Sequence, residues 1–167
     1  MPVSQLNAAP EREVEIQASI GRTLWQLQAF EETLARFIAL GLNLPEKASL
    51  SEARSILEGR RKKVLGKLIE EAKKIVAFDP SFDLFMARFL NARNWLVHRS
   101  WRTHRDYGKN DEDFIDLRYR ISRLSSDATE FDGFFTEITC SLLRARGITG
   151  QEIELSLADF DKASSEA

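Results

Sequence analysis

The stretch Glu11–Leu42, EREVEIQASIGRTLWQLQAFEETLARFIALGL, sets Ile16, Ile20, Leu24, Leu27, Leu34 and Ile38 at intervals of three, four or seven residues. That period is the mark of one apolar face on an α-helix, so a single long helix is predicted, ended by Gly41 and Pro45. Glu31 is the anomaly in it. Counting about 100° per residue from Leu24, the apolar stripe centres near 300°; Glu31 falls at roughly 340°, inside the stripe, and Glu32 at roughly 80° faces away. A carboxylate on an apolar face is costly unless paired, so a cation from another element is expected to meet it.

The rest of the chain reads in the same period. Ser49–Glu52, SLSE, has the form of a capping box and predicts a second helix running to about Ile75, although Gly59 and Gly66 weaken it. Asp79-Pro80-Ser81 breaks the chain, and Phe82 to about Trp101 forms a third helix rich in large apolar residues and arginines. HRDYGKND, from His104 to Asp111, has loop composition. Glu112 to about Arg146 is a fourth long amphipathic segment closed by Gly147 and Gly150, after which the KASSEA end frays. No segment alternates apolar and polar residues for long, and no repeat or linker divides the 167 residues. The expectation is one all-α domain over 1–167, an antiparallel, up-and-down bundle of about four long helices with its core at about 11–146.

Composition excludes several classes. One cysteine, Cys140, permits no internal disulfide, which points to a reducing compartment. Neither a signal-peptide pattern nor an apolar run of membrane-spanning length is present, so a cytoplasmic protein with no membrane partner is expected. Two histidines, His98 and His104, with Cys140 make too few ligands for a metal site, and no metal or other cofactor is predicted. The net charge of −2 hides an asymmetry: Arg60–Lys109 holds 13 Lys or Arg against 5 Asp or Glu, a local +8 that leaves −10 for the remainder. Such a basic segment attracts phosphates even in a slightly acidic protein.

Inside that segment, Asn91–Trp101, NARNWLVHRSW, gathers a permanently charged guanidinium, a carboxamide and an imidazole that titrates near neutrality. Asn94 and His98 are one helical turn apart on one stripe, but Arg93 and His98 diverge by about 140°. One straight helix does not bring both to one small group; a local distortion, a long reach by Arg93 or a second copy of the helix is required. Arg93 and His98 are also the cations on offer to Glu31. Arg99, Arg102 and Arg105 extend the positive field, as candidate phosphate contacts or as an ordinary solvated face, whereas His104 is assigned to the loop.

Arg93-Asn94-Trp95-Leu96-Val97-His98 resembles the Arg-x4-His motif of the HEPN superfamily, including the Asn after the Arg and the apolar pair before the His. Gly21–Ile38 is similar to the first helix of such proteins and Leu65–Ile69, LGKLI, to the second, so the resemblance spans about Gly21–Cys140. It implies a helical bundle that dimerises and, in many members, a metal-independent endoribonuclease serving as a toxin or defence effector. Arg93, Asn94 and His98 would be the catalytic residues, with Glu31 beside them; the partners would be single-stranded or looped RNA, a second copy of the chain and an antitoxin or other protein. Other members only bind, which keeps open a non-catalytic helical module for RNA, a nucleotide or a protein. One departure is clear: the subgroup that pairs with small nucleotidyltransferases has a Tyr two residues after the His, and position 100 here is Ser.

Overall fold

The computed structural model describes residues 8–42, 55, 59–60, 64–74, 78–145 and 147. Its named helices are α1 (Ala8–Leu42), α2 (Leu65–Lys73), α3 (Pro80–His98), the single turn α4 (Ser100–Thr103) and α5 (Asp111–Ala145). No strand occurs among the described residues, and the chain forms the all-α bundle its periodicity predicts. α1 and α5 match their sequence expectations within a few residues. The SLSE box lies outside the described residues, but the predicted run to Ile75 is not one helix: Val64 is extended, at φ −70° and ψ 149°, and serves as the N-cap of α2 without a side-chain bond.

Capping accounts for the start of α3. Asp79 Oδ1 accepts from the Ser81 backbone N–H at 2.8 Å and Pro80 occupies the first turn, so two of the residues that signal a break also nucleate the helix. Asn110 does the same for α5, its Oδ1 accepting from Glu112 N at 3.0 Å. The third predicted helix is divided near its end. Arg99 leaves helical geometry at φ −130° and ψ −21°, and Ser100 Oγ donates to Leu96 O at 2.6 Å, restarting the chain as α4.

The long helices meet in both senses. Cross-links pair Arg12 with Asp111, Arg118 with Glu15, Gln26 with Thr129, and Thr33 with Asp132, so residue numbers rise together and α1 and α5 run parallel. α3 runs against both, its Phe82 near Phe135 and its Trp95 near Arg120. Between them lies an aromatic core. Phe30 meets Phe89 edge-on at 5.5 Å and stacks on Phe131 at 5.6 Å, Phe37 contacts Phe135 at 5.1 Å, and Phe85 contacts Phe131 at 4.9 Å. Each such pair adds about 0.5–1.5 kcal/mol beyond the apolar area it buries. Leu24, placed in the predicted apolar stripe, is instead exposed; the buried face of α1 runs through Ile16, Leu27, Phe30, Leu34 and Ile38. Gly66 packs in α2 under Leu90 of α3, where an added Cβ would stand 3.5 Å from a leucine methyl.

Candidate functional site

The second half of α3 carries the motif residues on two sides of one helix. Arg93 turns toward α1, where its Nη2 lies 3.5 Å from Glu31 Oε1, and both side chains are about three-quarters covered. The pairing explains how an acid is tolerated on that face. Burial raises the Glu31 carboxyl above its ordinary range, and the Arg93 guanidinium, by charge and hydrogen bond, pulls it back toward ionisation. Nη1 of Arg93 also reaches Asn94 Oδ1 at 3.4 Å. Both contacts are long, and a guanidinium has five N–H donors, so Arg93 is positioned but not saturated.

His98 stands on the solvent side of α3, exposed, with Asn94 exposed one turn before it. No hydrogen bond joins His98 to Arg93 among the described residues, and the roughly 140° divergence is not removed by the break at Arg99, which comes after both. Glu31, Arg93 and Asn94 are therefore assembled within one chain, and His98 is not. Around His98 the exposed apolar side chains are Val97 and Trp101, the latter 70% exposed; Leu96 points into the core. Arg99, Arg102 and Arg105 are all on the surface. Arg105 lines an open cavity of about 560 Å³ with Lys109, but Glu13 and Asp106 also line it.

The larger surprise is His104. Its backbone is in a turn, as its loop assignment predicts, but its side chain is only 5% exposed. Nε2 lies 2.7 Å from Asp116 Oδ2 and Nδ1 lies 2.9 Å from Thr103 Oγ1, while the ring meets Trp95 edge-on at 5.5 Å. The Asp116 carboxylate accepts from Nε2–H, and the Thr103 hydroxyl beside Nδ1 also lies 3.2 Å from both Arg99 O and Ser100 O. Trp95 Nε1 donates to the same threonine at 3.2 Å. The His104 bond, helped by Arg120 at 2.8 Å, holds the Asp116 carboxyl below its usual range. Both ring nitrogens are thus engaged, and the cluster ties the α3–α5 connection to α5. The sequence held little sign of it. Thr103, His104 and Asp116 belong to different elements, and only the Asp116–Arg120 spacing is recognisable as a helical pair.

Among the described residues no three His, Cys, Asp or Glu side chains converge as a metal site would need, and no helix is long and apolar enough to cross a membrane. No family model matches the chain, and neither curated proteins nor solved structures include a match.

Proposed function

We propose that this chain is a metal-independent endoribonuclease that works as a two-fold homodimer. The observation that carries the reading is the division of labour on α3: Arg93 is anchored against Glu31 with donors to spare, while His98 is exposed beside Val97 and Trp101. A two-fold partner laid along that face would bring one chain's Arg93 and the other's His98 to a shared cleft and cover the two exposed apolar side chains.

RNA supplies its own nucleophile. One His98 takes the proton of the 2′-OH as that oxygen forms a bond to phosphorus, and the bond from phosphorus to the 5′-oxygen breaks with a proton delivered by the second His98. The products are a 2′,3′-cyclic phosphate and a 5′-hydroxyl. Arg93 offsets charge developing on the phosphorane, and Asn94 orients the imidazole or a phosphate oxygen. Arg99, Arg102 and Arg105 add to the electrostatic hold, so activity should fall with added salt. A toxin or defence effector would fit such an activity, tested by growth arrest on expression that His98→Ala relieves.

The decisive experiment is cleavage of single-stranded RNA by purified protein in EDTA. The expected result is cyclic-phosphate product with wild type and none with DNA; dependence on magnesium, or an undiminished His98→Ala variant, overturns the mechanism. The separation of Arg93 from His98 in one chain favours a second reading, a non-catalytic module binding RNA, a nucleotide or a protein on the same face. RNA bound but never cut would select it.

A further inference from the structure

Beside the motif, on the opposite flank of α3 from Arg93, a cavity of about 350 Å³ opens between α3 and α5. Asn91, Ala92 and Trp95 line it from α3; Tyr119, Arg120, Arg123, Leu124 and Asp127 line it from α5. Its volume is at the lower end of the range for small-molecule sites. None of the α5 residues entered the sequence reading, which located the positive region in 60–109.

Three features point to a ligand. Tyr119, 67% exposed, offers a largely uncovered ring at the cavity edge. Arg120 and Arg123 each commit Nε to an acid one turn away on α5, Asp116 at 2.8 Å and Asp127 at 3.0 Å, and both side chains are at least half exposed; the Arg120 guanidinium also lies over the Trp95 ring, 5.2 Å from its centroid. Asp127 is the least expected: only 7% exposed, its Oδ1 is held by Arg123 Nε at 3.0 Å and by no second donor among the described residues. Burial raises this carboxyl, Arg123 opposes the rise and Glu130 adds to it. A buried carboxylate whose Oδ1 is held by one exposed arginine, in a cavity walled by an aromatic ring and two guanidiniums, has the acceptor and the stacking surface of a nucleobase site, with cations placed for its phosphate.

We propose that the α3–α5 cavity is a base-specific subsite for one nucleotide of a single-stranded RNA, stacked on Tyr119, read by Asp127 through a donor edge and held at its phosphate by Arg123. Arg123 leaves the carboxylate to reach the phosphate, and the base's N–H groups take its place. Asp127 accepts only, so it selects bases that present amino groups. Guanine ranks first because its N1–H and amino group offer two donors side by side; cytosine and adenine each present one amino group; uracil presents a single N–H flanked by carbonyl oxygens and ranks last. Arg88 and Arg99, exposed one turn or more to either side on the same stripe of α3, continue the cationic track, and His98 stands three residues from Trp95. The subsite therefore deepens the ribonuclease reading, on which it rests, by setting the nucleotide next to the cleaved bond.

Binding of 2′-O-methyl RNA hexamers, which lack the free 2′-OH and cannot be cut, tests the subsite by fluorescence anisotropy on the full chain. UUGUUU is expected to bind about tenfold tighter than UUUUUU, one bidentate base contact's worth. Tyr119→Ala should weaken UUGUUU by about 10-fold or more and Tyr119→Phe should not, because stacking needs only the ring. Asp127→Asn should erase the guanine preference while UUUUUU affinity holds or rises, with circular dichroism reporting an intact fold. Equal affinity for the two hexamers in wild type, or an unaltered preference in Asp127→Asn, overturns the proposal. Guanosine monophosphate binding as tightly as the hexamer, with the same dependence on Tyr119 and Asp127, overturns the strand in favour of a free nucleotide. The two readings fail separately: a His98→Ala chain that keeps the preference preserves the subsite whatever becomes of catalysis, and RNA cleavage indifferent to guanine sinks the subsite alone.

Discussion

His98 and His104 are six residues apart and live in different worlds. His98 sits on the outer face of α3 with no hydrogen-bond partner among the described residues; His104 is buried past the next turn, with both nitrogens engaged and its ring against Trp95. An imidazole available for proton transfer needs one nitrogen open to substrate, and one that holds a fold needs both committed. By that criterion the two exchange the weight that a motif search and a loop assignment would give them: the motif histidine contributes nothing visible to stability, and the supposed loop histidine is part of the interior.

The largest effect expected from this contrast is on activity. His98→Ala should lower RNA cleavage by roughly 10²- to 10⁴-fold, the span of general acid–base work, and leave the melting temperature where it was. A melting temperature that falls with activity would erase the contrast. His104→Ala should do the converse through folding. It removes the His104 bond from Asp116, which keeps only Arg120, and opens a hole beside Trp95, costing about 2–4 kcal/mol and lowering the melting temperature by roughly 5–15 °C. Calorimetry on that variant checks it, and an unchanged transition would mean that the buried cluster is dispensable.

Glu31 and Arg93 provide an intermediate case. The folded-state pKa of Glu31 is raised, so the native state holds a proton over a window above 4.5 where the unfolded state has lost it, and stability declines as pH rises through that window. Arg93 narrows the window. In Arg93→Met it should widen upward, giving a loss of about 1 kcal/mol at pH 7, reduced by the partial exposure of the pair, that disappears near pH 4. Urea titrations of both proteins at the two pH values sharpen the point, and a pH-independent difference would mean that Arg93 acts only by packing.

Trp101 gives the smallest folding effect. With 70% of its surface exposed, Trp101→Ala should change the stability of the isolated chain by no more than about 0.5 kcal/mol, but it should weaken self-association seen by light scattering. Wild-type protein that scatters as a 19.1 kDa particle at micromolar concentration and above would remove the dimer and the shared cleft with it. Leu96, also within the motif, is buried and offers no surface to such a contact.

Much of this molecule is local, and what is local was readable. The 3.6-residue period of Glu11–Leu42 and Glu112–Arg146 determined two long helices, Asp79-Pro80-Ser81 determined where α3 begins, and the angular position of Glu31 inside an apolar stripe required a cation that the structure supplies as Arg93. Those inferences depend on spacing along a single helix, which covalent geometry dictates. The chain alone also determined that Arg93 and His98 diverge. It did not determine that α1 and α5 run parallel, that Leu24 stays outside, that α3 stops at His98, or that His104 meets Asp116 and Tyr119 shares a cavity with Asn91 and Trp95. Each of these is settled by which helix faces which. That choice depends on how an aromatic core of Phe30, Phe89, Phe131 and Phe135 interlocks in three dimensions, and no one-dimensional period encodes it.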